Sequence, residues 1–110
     1  MTTRRPIVAM SWAMRQNRSA DAVAFAEQLV QLLQEHQAIE QVVFSSMGTM
    51  AAVASVLKGS VIGLGAQNIA PFVVGEYSGE YSIESLVDVG GTYVEIGHWE
   101  RRSLFGETDE

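Results

Sequence analysis

The sequence contains no cysteine, which excludes disulfides, thiolate nucleophiles and zinc sites built from thiolates. Its apolar runs all fall short of the about 20 residues that span a bilayer, so we expect no membrane insertion. Basic residues are scarce: seven Lys and Arg stand against 13 Asp and Glu, for a formal net charge of -6. This acidic balance disfavours nucleic acid and anionic membrane surfaces as partners. Any phosphate site must therefore supply positive charge locally.

Short apolar runs alternate with helical patterns four times along the 110 residues. We predict strands over residues 7–10, 42–44, 61–66 and 93–96, with helices over about 19–36, 48–57 and 82–89. Ser19 and Ser82 are the expected capping residues of the first and third helices. The first strand is apolar throughout and follows Pro6, which is typical of a parallel strand buried on both faces.

Strands that alternate with helices at this spacing indicate a parallel sheet with right-handed crossovers. Residues 1–110 are accordingly predicted to form a single α/β domain. The pattern alone does not decide between an open doubly wound sheet and a sheet that curls toward a barrel. Gly63 and Gly65 lie inside a strand and lack the third glycine of a dinucleotide fingerprint, so we expect no nucleotide cofactor. No metal site is expected either.

The fourth strand breaks at Gly97 and is followed at once by His98, Glu100 and Arg101. Ligands of α/β proteins bind at the carboxyl ends of parallel strands, so His98 is predicted to be a site residue. The alternative is that His98 caps a surface turn and that the charges beside it are merely solvated.

The loop over residues 68–81 is longer than most connections and carries five large apolar or aromatic side chains. Such a loop either docks into a partner or folds back over its own domain. The side chains are Phe72, Val73, Val74, Tyr77 and Tyr81.

Residues 97–110 read Gly-His-Trp-Glu-Arg-Arg-Ser-Leu-Phe-Gly-Glu-Thr-Asp-Glu and resemble the fourth-strand segment of the triosephosphate isomerase family. Residues 5–9, 64–68 and 78–82 also resemble that family, so the likeness covers nearly the whole chain. It corresponds to the amino-terminal half of an enzyme of about 250 residues. The resemblance thus implies a (βα)4 half of a (β/α)8 barrel.

The resemblance also implies an activity, the isomerisation of a phosphorylated aldose and ketose through an enediolate. The substrate would be glyceraldehyde 3-phosphate and dihydroxyacetone phosphate, or a tetrulose phosphate, and no cofactor would be needed. His98 matches the neutral donor that polarises the substrate carbonyl, and Glu100 matches a catalytic-site carboxylate. A cytoplasmic homodimer acting in glycolysis and gluconeogenesis is implied as well.

Four further residues take roles from the resemblance. Arg101 and Glu107 match a structural ion pair. Ser78 and Glu80 match positions of the third loop, which docks into the other subunit of the family's dimer.

Three positions depart from the family pattern. Ser11 and Ala13 stand where the family has Asn and Lys, and Ala13 cannot supply the positive charge that would meet a substrate phosphate. Trp99 replaces a small serine beside His98.

Thr108 with Asp109 and Glu110 is typical of a helix start. We therefore expect a half-barrel domain truncated at the start of the fourth βα helix. The expected function is that of an inactive or impaired fragment or variant of the isomerase. The alternative is a non-catalytic half barrel that self-associates or pairs with another chain.

Overall fold

The computed structural model describes residues 4–110. These residues form four strands and four helices in strict alternation. In chain order they are β1 (Ile7–Ser11), α1 (Ser19–Leu33), β2 (Glu40–Ser45), α2 (Met50–Leu57), β3 (Ile62–Ala66), α3 (Ile83–Asp88), β4 (Tyr93–Val94) and α4 (Trp99–Phe105), with a 3₁₀ turn at Met47–Thr49 before α2.

All four strands are parallel and lie in the order β1-β2-β3-β4. Each strand therefore neighbours the next one along the chain, with no reversal of direction across the sheet. A doubly wound sheet requires such a reversal, so that alternative is wrong. The sheet is the curled half of a barrel with helices alongside, which confirms the predicted (βα)4 architecture.

The hydrophobic core lies between the helices and the outer side of the sheet. Val43, Leu64 and Ala66 of the strands belong to one buried cluster with helix residues such as Val53 and Leu86. Each large aliphatic side chain of this kind contributes about 1.5–3 kcal/mol by leaving water. Helix packing against one side of the sheet thus holds the strand ends in place. The remaining buried members of the cluster are Trp12, Ala22, Ala26, Met50, Leu57 and Ile62.

On the inner side of the sheet, two aromatic rings lie over two glycines. A Cβ placed on Gly65 would come within 2.5 Å of Cε1 of Phe44, and one on Gly63 within 2.7 Å of Cε2 of Tyr93. Glycine fits both positions without strain, whereas any larger side chain would require the ring beside it to shift.

The first strand is not buried on both faces as predicted. Ile7 is 55% exposed and Val8 is 48% exposed. The reason is that β1 is an edge strand, paired within the described residues with β2 alone. The apolar run alone carried no information on which neighbours would cover it.

Helix ends agree with the predictions in part. The Ser82 hydroxyl accepts a hydrogen bond of 3.1 Å from the amide of Glu84, which confirms it as the cap of α3. Ser19 is instead the first residue of α1, whose N-cap position is Arg18 without a side-chain hydrogen bond. That helix ends at Leu33, three residues before the predicted end. None of the helices formed by residues 4–110 is long and apolar enough to cross a membrane.

The loop over residues 68–81 has no helix or strand but is held at several points. Ser82 donates to the carbonyl of Val73 at 2.6 Å, and Tyr81 donates to the Met50 sulfur at 3.2 Å. The rings of Phe72 and Tyr77 stack with their centroids 4.3 Å apart. The loop therefore packs partly on itself while presenting half-exposed aromatic surface.

Candidate active site

A cavity of about 270 Å³ opens where the carboxyl ends of the strands meet. Of the predicted site residues, it brings together Ser11, Ala13, His98, Glu100 and Arg101. Gln67 and Glu95 also line it and were not predicted as site residues.

A larger cavity of about 690 Å³ lies between α2 and α3. Its lining is mostly aliphatic, with Lys58 and Asp88 as the charged groups, and contains no histidine. The groups able to move protons or polarise a carbonyl lie instead around the smaller cavity, which we take as the candidate active site.

His98 stands at the start of α4, where its ring caps the helix. Its Nδ1 accepts a 3.0 Å hydrogen bond from the backbone amide of Glu100. In the neutral imidazole, this bond leaves the proton on Nε2, where it is free to be donated to a ligand. The ring therefore has one nitrogen fixed by the backbone and the other available as a donor.

Two carboxylates flank the ring of His98. Oε1 of Glu95 lies 3.9 Å from Nε2, and Oε2 of Glu100 lies 3.8 Å from Nδ1. Both separations exceed a hydrogen bond but are close enough for electrostatic interaction. The two flanking carboxylates make the surroundings of the ring predominantly acidic.

Glu95 is the charged residue of this site that was not predicted from the sequence. Its backbone amide donates to the carbonyl of Ala66 at 2.8 Å, which continues the pairing of β4 with β3, and its side chain is only 21% exposed. A carboxylate within the otherwise apolar run 93–96 was the signal in the sequence, since a charge inside a buried strand needs a reason.

Gln67 ties the ends of three strands together. Its side-chain amide donates to the carbonyl of Ala13 at 2.8 Å and to that of Phe44 at 3.0 Å. The Phe44 carbonyl also accepts from the amide of Trp12 at 3.0 Å. The loop after β1 is thereby fixed to the body of the sheet.

Ala13 adopts a φ of 53°, in the left-handed region that non-glycine residues seldom occupy. Such a conformation costs about 1–2 kcal/mol and persists where surrounding contacts impose it. The bond from Gln67 to the Ala13 carbonyl is such a contact.

The guanidinium of Arg101 is already paired with the carboxylate of Glu107. Its Nε and Nη2 both lie 2.8 Å from Oε2 of Glu107, and its guanidinium sits 4.6 Å from the centroid of the Phe105 ring. Among the cavity-lining residues, Arg101 is the one permanent cation. Because Ala13 is uncharged and Arg101 is paired with Glu107, the lining offers an anionic ligand no cation that lacks an ion-pair partner.

Trp99, Ser78 and Glu80 do not line the cavity. The indole of Trp99 is 68% exposed and lies 5.9 Å from the His98 ring, centroid to centroid. Ser78 and Glu80 are exposed in the loop over residues 68–81. Within residues 4–110, no cluster of three or more carboxylate or imidazole side chains is placed to hold a metal ion.

Residues 6–110 match the family model described as triosephosphate isomerase. Triosephosphate isomerase 2 of Listeria innocua is 38% identical over 104 residues, which cover 94% of this chain and 41% of the relative. Triosephosphate isomerase of Caldanaerobacter subterraneus is 46% identical over 107 residues, which cover 97% of this chain and 42% of the relative. The chain thus spans about two fifths of the length of these relatives.

A similar solved structure is the crystal structure of triosephosphate isomerase from Bartonella henselae. It superposes with a TM-score of 0.86 at 26% sequence identity, over 96% of this chain and 43% of that one. The two structures therefore superpose over all four βα units of this chain.

Proposed function

Because the chain belongs to the triosephosphate isomerase family, we propose that it is a part or a variant of an aldose–ketose phosphate isomerase, impaired as it stands. Its substrate class would be triose phosphates or tetrulose phosphates. The observation that carries this proposal is the orientation of His98, whose Nδ1 is fixed by the Glu100 amide so that Nε2 is the donor.

In this proposal, His98 donates from Nε2 to the carbonyl oxygen of the substrate while an enediolate forms. A preorganised donor of this kind typically contributes about 3–4 kcal/mol to lowering the barrier. Glu100 acts through its backbone amide, which holds the ring, and Ser11 lies where a hydroxyl of the substrate would be bound. Arg101 and Glu107 form an ion pair that shapes the wall of the cavity.

Ala13 is the reason for proposing impaired activity. The family pattern has a lysine there, and a methyl group replaces neither its charge nor its hydrogen bonds. The largely exposed indole of Trp99 adds a bulky group beside His98 where the family has serine.

Because of its family membership, we also propose how the protein assembles and where it acts. A homodimer would use the loop over residues 68–81, with Ser78 and Glu80 at the contact, because Phe72 and Val74 are 50% and 79% exposed there. A cytoplasmic place in glycolysis or gluconeogenesis would accompany the activity, without nucleic acid or membrane as a partner.

The experiment joins residues 1–110 to the carboxyl-terminal part of the Caldanaerobacter subterraneus relative, which is 46% identical over the matched region. Ala13→Lys should raise triose phosphate turnover of this chimaera by about two orders of magnitude or more. His98→Gln should abolish that gain. Equal turnover per site with Ala13 and with lysine would contradict the proposed role of position 13.

A second candidate, a non-catalytic half barrel that self-associates, is favoured by the exposure of β1. Ile7 and Val8 present apolar side chains that a partner would cover. Sedimentation of the 110-residue chain across a dilution series should then reveal a dimer or larger species. A monomer that unfolds cooperatively at low concentration would exclude this candidate.

A further inference from the structure

Glu95 and His98 form a pair of proton-transfer groups on one wall of the cavity. Oε1 of Glu95 and Nε2 of His98 are 3.9 Å apart, and both residues line the cavity of about 270 Å³. The side chains are 21% and 28% exposed. Backbone hydrogen bonds hold both residues in place. The backbone amide of Glu95 donates to the carbonyl of Ala66, and the backbone amide of Glu100 donates to Nδ1 of His98.

The distance between Oε1 of Glu95 and Nε2 of His98 suits contact with two atoms of one small molecule that are two bonds apart. The carbonyl oxygen and the α-carbon of a hydroxycarbonyl compound are separated by two bonds. A carbonyl oxygen bonded to Nε2 of His98 would therefore bring its α-carbon toward the carboxylate of Glu95. A carboxylate and a hydrogen-bond donor in this relation are the groups that enolisation requires.

The charges around the cavity favour an uncharged ligand. Glu95 and Glu100 contribute two carboxylates, whereas the guanidinium of Arg101 is bonded to Glu107. Ala13 adds no charge. A phosphate group would meet repulsion from both carboxylates, while hydroxyl groups would find acceptors.

We propose that this cavity takes a small uncharged hydroxycarbonyl compound, an unphosphorylated triose in size, and that Glu95 is the catalytic base for its enolisation. The proposal depends on the proposed function for the role of His98 as carbonyl donor. For the cavity as residues 4–110 form it, the proposal adds an uncharged substrate to the phosphorylated one, on which the chain is impaired, and it assigns a base within the described residues.

The reaction balances without a cofactor. Glu95 takes the proton from C2 of the aldose, and the electrons of the broken C–H bond form the C1–C2 double bond. The carbonyl electron pair moves to O1, which takes a proton from Nε2 of His98. In the second half, His98 recovers a proton from the hydroxyl at C2, and Glu95 returns its proton to C1. The aldose becomes the ketose, and both side chains regain their starting states.

The test uses the 110-residue chain in deuterated water with glyceraldehyde and dihydroxyacetone, followed by proton NMR. Protein-dependent loss of the α-proton signal is expected, together with interconversion of the two trioses. Glu95→Gln should lower this exchange about a hundredfold, the effect typical of losing a general base. Glu95→Asp, which keeps a shortened base, should retain an intermediate rate.

Glu27→Gln is the matched control, because Glu27 is exposed on α1 and the change removes the same charge without touching the cavity. Its exchange rate should equal that of the unaltered chain, and far-UV circular dichroism should be the same for all variants. After the rate in buffer is subtracted, the α-proton of glyceraldehyde 3-phosphate should exchange more slowly than that of glyceraldehyde.

Three results would overturn the proposal: no exchange above buffer, equal exchange in Glu95→Gln, or faster exchange of the phosphorylated triose. The chimaera experiment with Ala13→Lys addresses the proposed function separately. A chimaera active on triose phosphate beside an inactive 110-residue chain would reject the role of Glu95 and leave the family activity standing.

Discussion

The side-chain amide of Gln67 donates a 2.8 Å hydrogen bond to the carbonyl oxygen of Ala13, a residue 54 positions earlier in the chain. With its second bond to Phe44, Gln67 joins the ends of β1, β2 and β3. Ala13 keeps a positive φ under this restraint. The geometry of the cavity therefore depends on a residue that is not itself reactive.

Gln67→Leu should destabilise the fold by about 1–3 kcal/mol, because it removes the donor from two part-buried carbonyls and replaces it with an apolar group of similar size. Urea denaturation followed by circular dichroism measures the change. Gln28→Leu, at an exposed position of α1, is the control and should alter stability by less than about 0.5 kcal/mol. Similar losses in both variants would mean that the two bonds contribute little.

The two inner-face glycines should respond differently to a methyl group. At Gly65 a Cβ would lie 2.8 Å from the backbone oxygen of Tyr93, which cannot move aside, whereas at Gly63 the nearest contacts are with the Tyr93 ring. Gly65→Ala should therefore be the more destabilising, by about 1–3 kcal/mol or more. Gly48→Ala, with no atom within 4 Å of the added Cβ, is the matched control for thermal denaturation. Equal midpoints for Gly65→Ala and Gly48→Ala would refute the close packing.

The Arg101–Glu107 pair should be only modestly stabilising. Its side chains are 33% and 31% exposed, so solvent screens the attraction. A double-mutant cycle with Arg101→Met and Glu107→Gln should give a coupling of about 0.2–1 kcal/mol that weakens with salt. The pair of Arg102 with Asp109, at 45% and 92% exposure, is the comparison and should couple less. A stronger coupling for the more exposed pair would contradict this ranking.

Sequence patterns predicted the order of elements from β1 to β4 because each of these is a local signal, but they did not predict α4 at Trp99–Phe105. The apolar run at β3 and the cap at Ser82 are examples in which neighbours in sequence decide the outcome. The exposure of Ile7 could not be predicted in this way, since it depends on which strands flank β1. The closeness of Glu95 to His98 depends likewise on the turn at Gly97, whose φ of 72° sets the direction of the chain after β4.

The strand break at Gly97 predicted the placement of His98, whereas the resemblance to a family drew attention only to positions that the family pattern includes. Gln67 stood inside the matching stretch 64–68, yet its two hydrogen bonds reach residues far away in sequence. Such long-range contacts become visible once strand register is known.

The hydroxyl of Tyr93 donates a hydrogen bond to Oε1 of Glu40 across the inner face of the sheet. This bond, with burial and the nearby negative charge of Glu40, raises the pKa of the Tyr93 phenol above its ordinary value of 10.0, while Arg5 opposes the shift. Glu40→Gln should return the Tyr93 pKa toward that value because the charge of the acceptor is removed. Titration of phenolate absorbance measures it, with Tyr93→Phe identifying which of the three tyrosines has moved.

The raised pKa of Tyr93 also fixes the sign of a stability change. The folded state holds the Tyr93 proton more tightly than the unfolded state does, so this contribution is fully present below pH 10. It is lost as the pH rises through the raised pKa of the folded state. The stability difference between the unaltered chain and Tyr93→Phe should therefore be constant from neutral pH to about pH 9 and shrink above pH 10. Tyr81, whose pKa is raised by burial and by Asp88, is retained in both proteins and cancels in the comparison. A difference that grew with pH above 10 would show that Glu40 does not hold the phenol in its protonated form.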